Sequence, residues 1–171
     1  MRRQVVHAGC AGVALVAALV ALPTTAHAEP TLGGEVRGEV GSLGGEFRGG
    51  PGVRFSAGYA LDTYPILVVP ELVVDGTLFL PAPILGAFRA MAGVRVGFTT
   101  VVEPYLLTHV GYGFLAPDAN LVHGFAVDAG LGLDKRLSRH VTIGGTAAYQ
   151  GFVGDVTMHG AALGFHVVGW L

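Results

Sequence analysis

From residue 29 onward, apolar side chains alternate with glycine, polar or charged ones. No uninterrupted apolar run approaches the ~20 residues of a membrane-spanning helix. The richest stretch, Ile66 to Leu80, is broken by Pro70, Glu71, Asp75 and Gly76. A period of two predicts strands. Eight segments carry it: residues 34–44, 52–62, 66–76, 86–98, 102–114, 122–134, 140–152 and 160–171. Each is close to the ~9–11 residues that a tilted membrane strand requires. The alternation is cleanest in the last three and faintest in the first.

The two faces differ in kind. In 122–134, Phe125, Val127, Ala129, Leu131 and Leu133 share one face, and Gly124, Ala126, Asp128, Gly130, Gly132 and Asp134 share the other. In 86–98, Phe88, Ala90, Ala92, Val94, Val96 and Phe98 oppose Arg89, Met91, Gly93, Arg95 and Gly97. In 160–171, Ala161, Leu163, Phe165, Val167 and Leu171 oppose Gly160, Ala162, Gly164 and His166. A slip of one residue would exchange the faces, so the pattern fixes the facing. The same rule gathers Arg54, Glu71, Asp75, Arg89, Arg95, Glu103, Asp128 and Asp134 on the polar face, with His109 and His166. A continuous apolar face opposite a charged, glycine-rich one predicts a barrel with lipid outside and a polar lumen. A soluble ligand-carrying barrel has the reverse arrangement. The expected fold is therefore all-β: an eight-stranded antiparallel up-and-down transmembrane barrel.

Two features bear on orientation. The links near Thr99-Thr100 and along Lys135–Arg139 are two connections apart and lie on one side, assigned to the periplasm. Ala116–Asn120 and the turn around Gly154-Asp155 then face outward, and all outer connections look short. Aromatic residues near strand ends (Tyr59, Phe98, Tyr105, Tyr112, Phe114, Tyr149, Phe152 and Trp170) are expected to form interfacial girdles.

Residues 1–28 read as a secretory signal peptide. Arg2 and Arg3 precede the apolar Ala11–Leu22, Pro23 breaks it, and Ala26-His27-Ala28 offers small residues for cleavage. The apolar run is too short for a membrane anchor, and Cys10 precedes it, where a lipoprotein cysteine would follow. The barrel domain is then 29–171, without cysteine, and carries twelve acids against eight Lys/Arg. With no basic stripe, nucleic acid is excluded as an expected partner. Charged residues are only 13% of the chain and mean hydropathy is +0.59, too apolar for a disordered segment.

The run Ala126-Val127-Asp128-Ala129-Gly130-Leu131-Gly132-Leu133-Asp134-Lys135-Arg136-Leu137, followed by Ser138-Arg139-His140-Val141-Thr142-Ile143-Gly144, resembles the penultimate hairpin of the small OmpA-like and OmpX-like outer-membrane barrels. Leu163 to Leu171 is similar to that family's C-terminal assembly strand, although the chain ends in Leu171 where the family usually ends in an aromatic residue. The resemblance spans residues 52–171 and is architectural. It implies residence in the bacterial outer membrane among lipids and lipopolysaccharide, and delivery to the barrel-assembly machinery through the C-terminal strand. The chain is expected to be a monomer.

Little in the chain points to chemistry. Lipid A-modifying enzymes use similar barrels, and a hydrolase needs a serine beside a histidine base oriented by an acid. Mature serines are Ser42, Ser56 and Ser138, and Ser56 with His109 is the conceivable pair. His109, His123, His140, His159 and His166 lack metal-ligand spacing, so no metal or cofactor is expected. Gly130-Leu131-Gly132 is not a nucleotide loop, because no helix follows it. Charges in a narrow lumen are expected to pair. An eight-strand interior is roughly filled by side chains, but the small inner residues Gly93, Gly97, Gly111, Gly113, Gly130 and Gly132 leave a passage open as a question. The expected role is a structural or surface-interaction barrel without catalysis. The alternatives are a narrow pore for ions or small solutes and a lipid A-modifying enzyme.

Overall fold

The computed structural model describes residues 27–80, 84–117 and 121–171. Eight strands follow in order: β1 (His27–Leu43), β2 (Glu46–Thr63), β3 (Ile66–Phe79), β4 (Leu85–Phe98), β5 (Glu103–Pro117), β6 (Val122–Ser138), β7 (Val141–Gly154) and β8 (Thr157–Trp170). Each is antiparallel to its sequence neighbours, and β8 pairs with β1 to close the barrel. Closure leaves no unpaired edge, as a backbone in lipid requires.

Every predicted segment coincides with one strand, and most strands run further. β1 begins at His27 where the alternation suggested residue 34. Residues Lys135–Ser138, expected as a turn, continue β6 and pair with β7, with a bulge between Arg136 and Ser138. The turn itself is Arg139-His140. Ala116 and Pro117 likewise extend β5. Charged or proline-bearing strand ends read as loops in sequence, yet a strand that continues past an apolar band is free to carry them. Residues 1–26 of the expected signal peptide lie outside the described residues, as do 118–120 of the link after β5.

Cross-strand partners trace one circuit: Gly33, Ser56, Val73, Met91, Gly111, Ala126, Phe152, Met158 and then Leu43. The path returns to β1 displaced by ten residues. Such a displacement tilts the strands by about 35–45°, and eight of them enclose an interior that side chains fill. The end carrying the strand termini of β1 and β8 is called proximal here, and the opposite end distal. The distal β1–β2 turn is Gly44-Gly45, with φ of 61° and 88°. Two consecutive positive φ angles define the two-residue turn that suits the twist of a hairpin, and glycine adopts it without strain. The turn between β7 and β8 is also two residues, Asp155-Val156.

Burial alternates along β6 up to Asp134: Gly124, Ala126, Asp128, Gly132 and Asp134 are buried and Gly130 half-buried, whereas Phe125, Val127, Ala129, Leu131 and Leu133 are exposed. Phe55, Leu72, Leu106 and Leu163 stand equally bare on the exterior. An apolar surface this continuous is far beyond what a soluble monomer exposes. Inside, Phe79, Leu85, Leu115, Phe152 and Met158 fill the distal end, and Ala60, Leu67, Val69 and Trp170 fill the proximal end. Between these apolar layers lies the charge.

Candidate functional site

The lumen between the two apolar layers contains a chain of ion pairs contributed by seven strands. Asp75 on β3 is its hub. Arg89 Nε donates to Asp75 Oδ1 at 2.6 Å, Arg54 Nη2 donates to Oδ2 at 3.0 Å, and Arg37 Nη1 lies 3.4 Å from the same oxygen. Arg54 also bonds Asp128 across the lumen. Arg89 continues to Glu39 at 2.9 Å and to Gln150 Oε1 at 2.7 Å. Nearer the proximal end, Arg95 lies 3.1 Å from Asp134 and 3.7 Å from Glu71. His109 sits between two carboxylates, with Nε2 3.1 Å from Glu71 and Nδ1 3.8 Å from Asp128. His166 Nε2 is 2.7 Å from Asp134, and its Nδ1 is 3.2 Å from Thr146. Glu103 meets Arg136 at 3.9 Å at the proximal rim.

The ten side chains that alternation placed on the polar face thus all point inward, Arg95 being the least covered. Buried carboxylates and guanidiniums hold their charge only when paired in this way. Three members come from β1 and were not among the sequence candidates: Glu35, Arg37 and Glu39. They alternate with Val36, Gly38 and Val40, so the signal was present. Gln150, whose side chain links Arg89 to Glu39, carries no charge and gave none.

The expected girdle needs correction. Tyr59, Phe98, Tyr112 and Tyr149 are exposed on the exterior, and Phe114 stacks on Phe88 there at 5.9 Å. Tyr105, Phe152 and Trp170 instead face the lumen, at 6%, 0% and 7% exposure. Their parity is that of Glu103, Gln150 and His166. Side-chain direction in a strand follows parity, whatever the distance from the strand's end. Each inward aromatic closes part of the interior: Tyr105 Oη bonds Thr146 Oγ1 at 2.7 Å, and Trp170 Nε1 donates to Thr142 Oγ1 at 2.9 Å.

The inner glycines make room for these groups. A Cβ on Gly132 would strike the Tyr105 ring, one on Gly93 would strike His109, and one on Gly113 would meet Arg89. Large side chains lie over glycines of the neighbouring strands, so the small residues allow close packing inside the lumen. The interior cavity bounded by Glu35, Arg54, Ser56, Glu71, Arg95, Tyr105, His109, Thr146 and His166 measures about 30 Å³. That is room for one or two water molecules.

Ser56 and His109 both border this cavity, but no hydrogen bond joins them among the described residues. Ser56 packs against Gly33, and His109 is held by Glu71 and Asp128. The remaining histidines lie elsewhere. His123 stacks on the exterior with Tyr112, His159 Nδ1 is 2.5 Å from Tyr149 Oη, and His140 Nδ1 is 3.3 Å from the Trp170 carbonyl. Among the described residues no group of three or more His, Cys, Asp or Glu side chains could hold a metal.

No protein-family model matches the chain, and no curated protein matches it. Solved structures do. Neisserial surface protein A (NspA) shares 16% identity at a TM-score of 0.69, covering 85% of this chain and 99% of that one. Ail, the attachment invasion locus protein of Yersinia pestis, in complex with the heparin analogue sucrose octasulfate, shares 14% identity at 0.56, covering 84% and 98%. The outer membrane enzyme PagL shares 14% identity at 0.53, covering 77% and 97%. At such identities the likeness is one of fold. Fold, apolar exterior and charged interior together define an integral outer-membrane β-barrel of the small eight-stranded class. A surface protein and an enzyme share that fold, which by itself assigns no activity.

Proposed function

We propose that the protein is a structural, monomeric barrel of the outer membrane, exported by a leader spanning residues 1–28 and acting without catalysis or solute transport. The observation that carries this reading is the filled interior. Ion pairs occupy its middle, apolar side chains close both ends, and the cavity between them is about 30 Å³. Hydrated ions need a continuous wet path, and a lumen filled in this way speaks against one. The same cavity of about 30 Å³ is small for a substrate of Ser56 and His109.

The partners that fit are lipids and lipopolysaccharide around the exterior, with assembly through β8. A role in surface attachment is less favoured, because the two-residue distal turns at Gly44-Gly45 and Asp155-Val156 present little chain for a partner to grip.

Conductance of the purified mature barrel in planar bilayers tests the reading. The expected result is an absence of discrete current steps, and sustained steps would overturn it in favour of a pore. Mass analysis of lipid A after expression is the companion test. Unchanged masses are expected, and a change abolished by Ser56→Ala or His109→Ala would establish an enzyme.

A further inference from the structure

The basic side chains are unevenly placed. Of the eight Lys/Arg after residue 28, Arg37, Arg54, Arg89 and Arg95 line the lumen, and Arg48 pairs with Glu46 beside the distal Gly44-Gly45 turn. The other three, Lys135, Arg136 and Arg139, fall within five residues at the proximal β6–β7 hairpin. Arg136 is partly committed, with its guanidinium 4.1 Å over the Trp170 ring and 3.9 Å from Glu103. Lys135 and Arg139 are exposed and have no ion-pair partner among the described residues.

The surroundings of these two cations are apolar. Lys135 follows Leu131 and Leu133 on the lipid face and stands opposite Ile143 on β7. Leu137 and Val141 flank the turn and are themselves exposed. The turn is held in place, since Ser138 Oγ accepts the His140 N–H at 3.2 Å and the His140 ring abuts the Trp170 carbonyl. A ligand fitting this patch must carry an anion beside a hydrocarbon part. A long basic side chain at the margin of an apolar band places its stem on the hydrocarbon and its charge among headgroups.

We propose that the β6–β7 hairpin is a binding site for an anionic glycerophospholipid of the periplasmic leaflet. Its headgroup phosphate meets Lys135 and Arg139, and its acyl chains lie along Leu133, Leu137 and Val141. The proposal rests on the membrane-barrel reading given above. An acidic protein partner would leave the leucines exposed, which is why a lipid is favoured.

The test uses the mature barrel in non-ionic detergent, with folding checked by heat-modifiable gel mobility. Native mass spectrometry then counts retained phosphatidylglycerol, phosphatidylcholine and lipid A. Retention of phosphatidylglycerol over phosphatidylcholine is expected, and it should fall as salt shortens the screening length. Combining Lys135→Gln with Arg139→Gln should weaken retention roughly 25-fold, at about a fivefold loss per basic residue. Arg48→Gln should leave it unchanged. Equal retention by the double variant, or preference of these two residues for lipid A, overturns the proposal. Should the double variant misfold, salt-insensitive retention by the unaltered barrel overturns it equally. An unaltered protein that never shows heat-modifiable mobility would instead count against the barrel itself.

Discussion

Arg89 on β4 reaches across the lumen to Glu39 on β1, its Nη2 2.9 Å from Oε1, while its Nε holds Asp75 on β3 at 2.6 Å. With its Nη1 on Gln150 of β7 at 2.7 Å, one guanidinium ties together four strands, and Arg89 and Glu39 are fifty residues apart in sequence. Arg89→Leu leaves Asp75 and Glu39 buried with fewer partners. Removing one member of a buried ion pair destabilises by about 3–5 kcal/mol. Urea unfolding of the refolded barrel in vesicles should show a loss of that order, and a midpoint matching the unaltered protein would count against the network as a source of stability.

Asp128 has a comparable position, bonded to Arg54 and close to His109. Asp128→Leu should lower the temperature at which the folded gel band converts to the unfolded one. Asp128→Asn, which keeps the volume and one acceptor oxygen, should lower it less. Equal effects from both would indicate that packing, and not charge pairing, sets the loss.

Gly132 lies under the Tyr105 ring, and Gly38 faces outward with nothing within 4 Å of an added Cβ. Gly132→Ala should destabilise by about 1–3 kcal/mol through overpacking. Adding Tyr105→Ala should make the two effects less than additive, because the residues touch. Gly38→Ala should change stability by no more than about 0.5 kcal/mol. A double-mutant cycle by denaturant unfolding checks all three.

Trp170 is the single tryptophan and faces inward beneath Arg136. Lipids brominated along the acyl chain should therefore quench its fluorescence weakly. Tyr149→Trp, introduced into a Trp170→Phe background, should be quenched strongly from the exterior. Strong quenching of Trp170 itself would restore it to the lipid-facing girdle.

The contrast between Trp170 and Tyr149 shows what was legible in the sequence. Period-two alternation placed Arg89, Asp128 and Asp134 correctly inside and Phe125 and Leu131 outside, because a strand has only two faces. The aromatic assignment failed for Tyr105, Phe152 and Trp170 where proximity to a strand end displaced that same rule. Glu35, Arg37 and Glu39 obeyed the alternation too, inside the expected segment 34–44, but the glycines between them left its apolar face the faintest of the eight. The partner of each charge was not readable at all. Which acid meets Arg89 depends on the ten-residue displacement around the barrel and on side chains long enough to cross it, and neither leaves a local trace.

The facing of β6 distinguishes a lipid-facing exterior from any other arrangement most directly. The described chain contains no cysteine, so single cysteines at each position from Phe125 to Asp134 can carry spin labels in reconstituted vesicles. Oxygen accessibility should peak at Phe125, Val127, Ala129, Leu131 and Leu133 and fall at the intervening positions, with a period of two. Labels at those five positions that respond instead to a water-soluble relaxant, or an accessibility profile without that period, would contradict a lipid-facing exterior around a closed, ion-paired lumen.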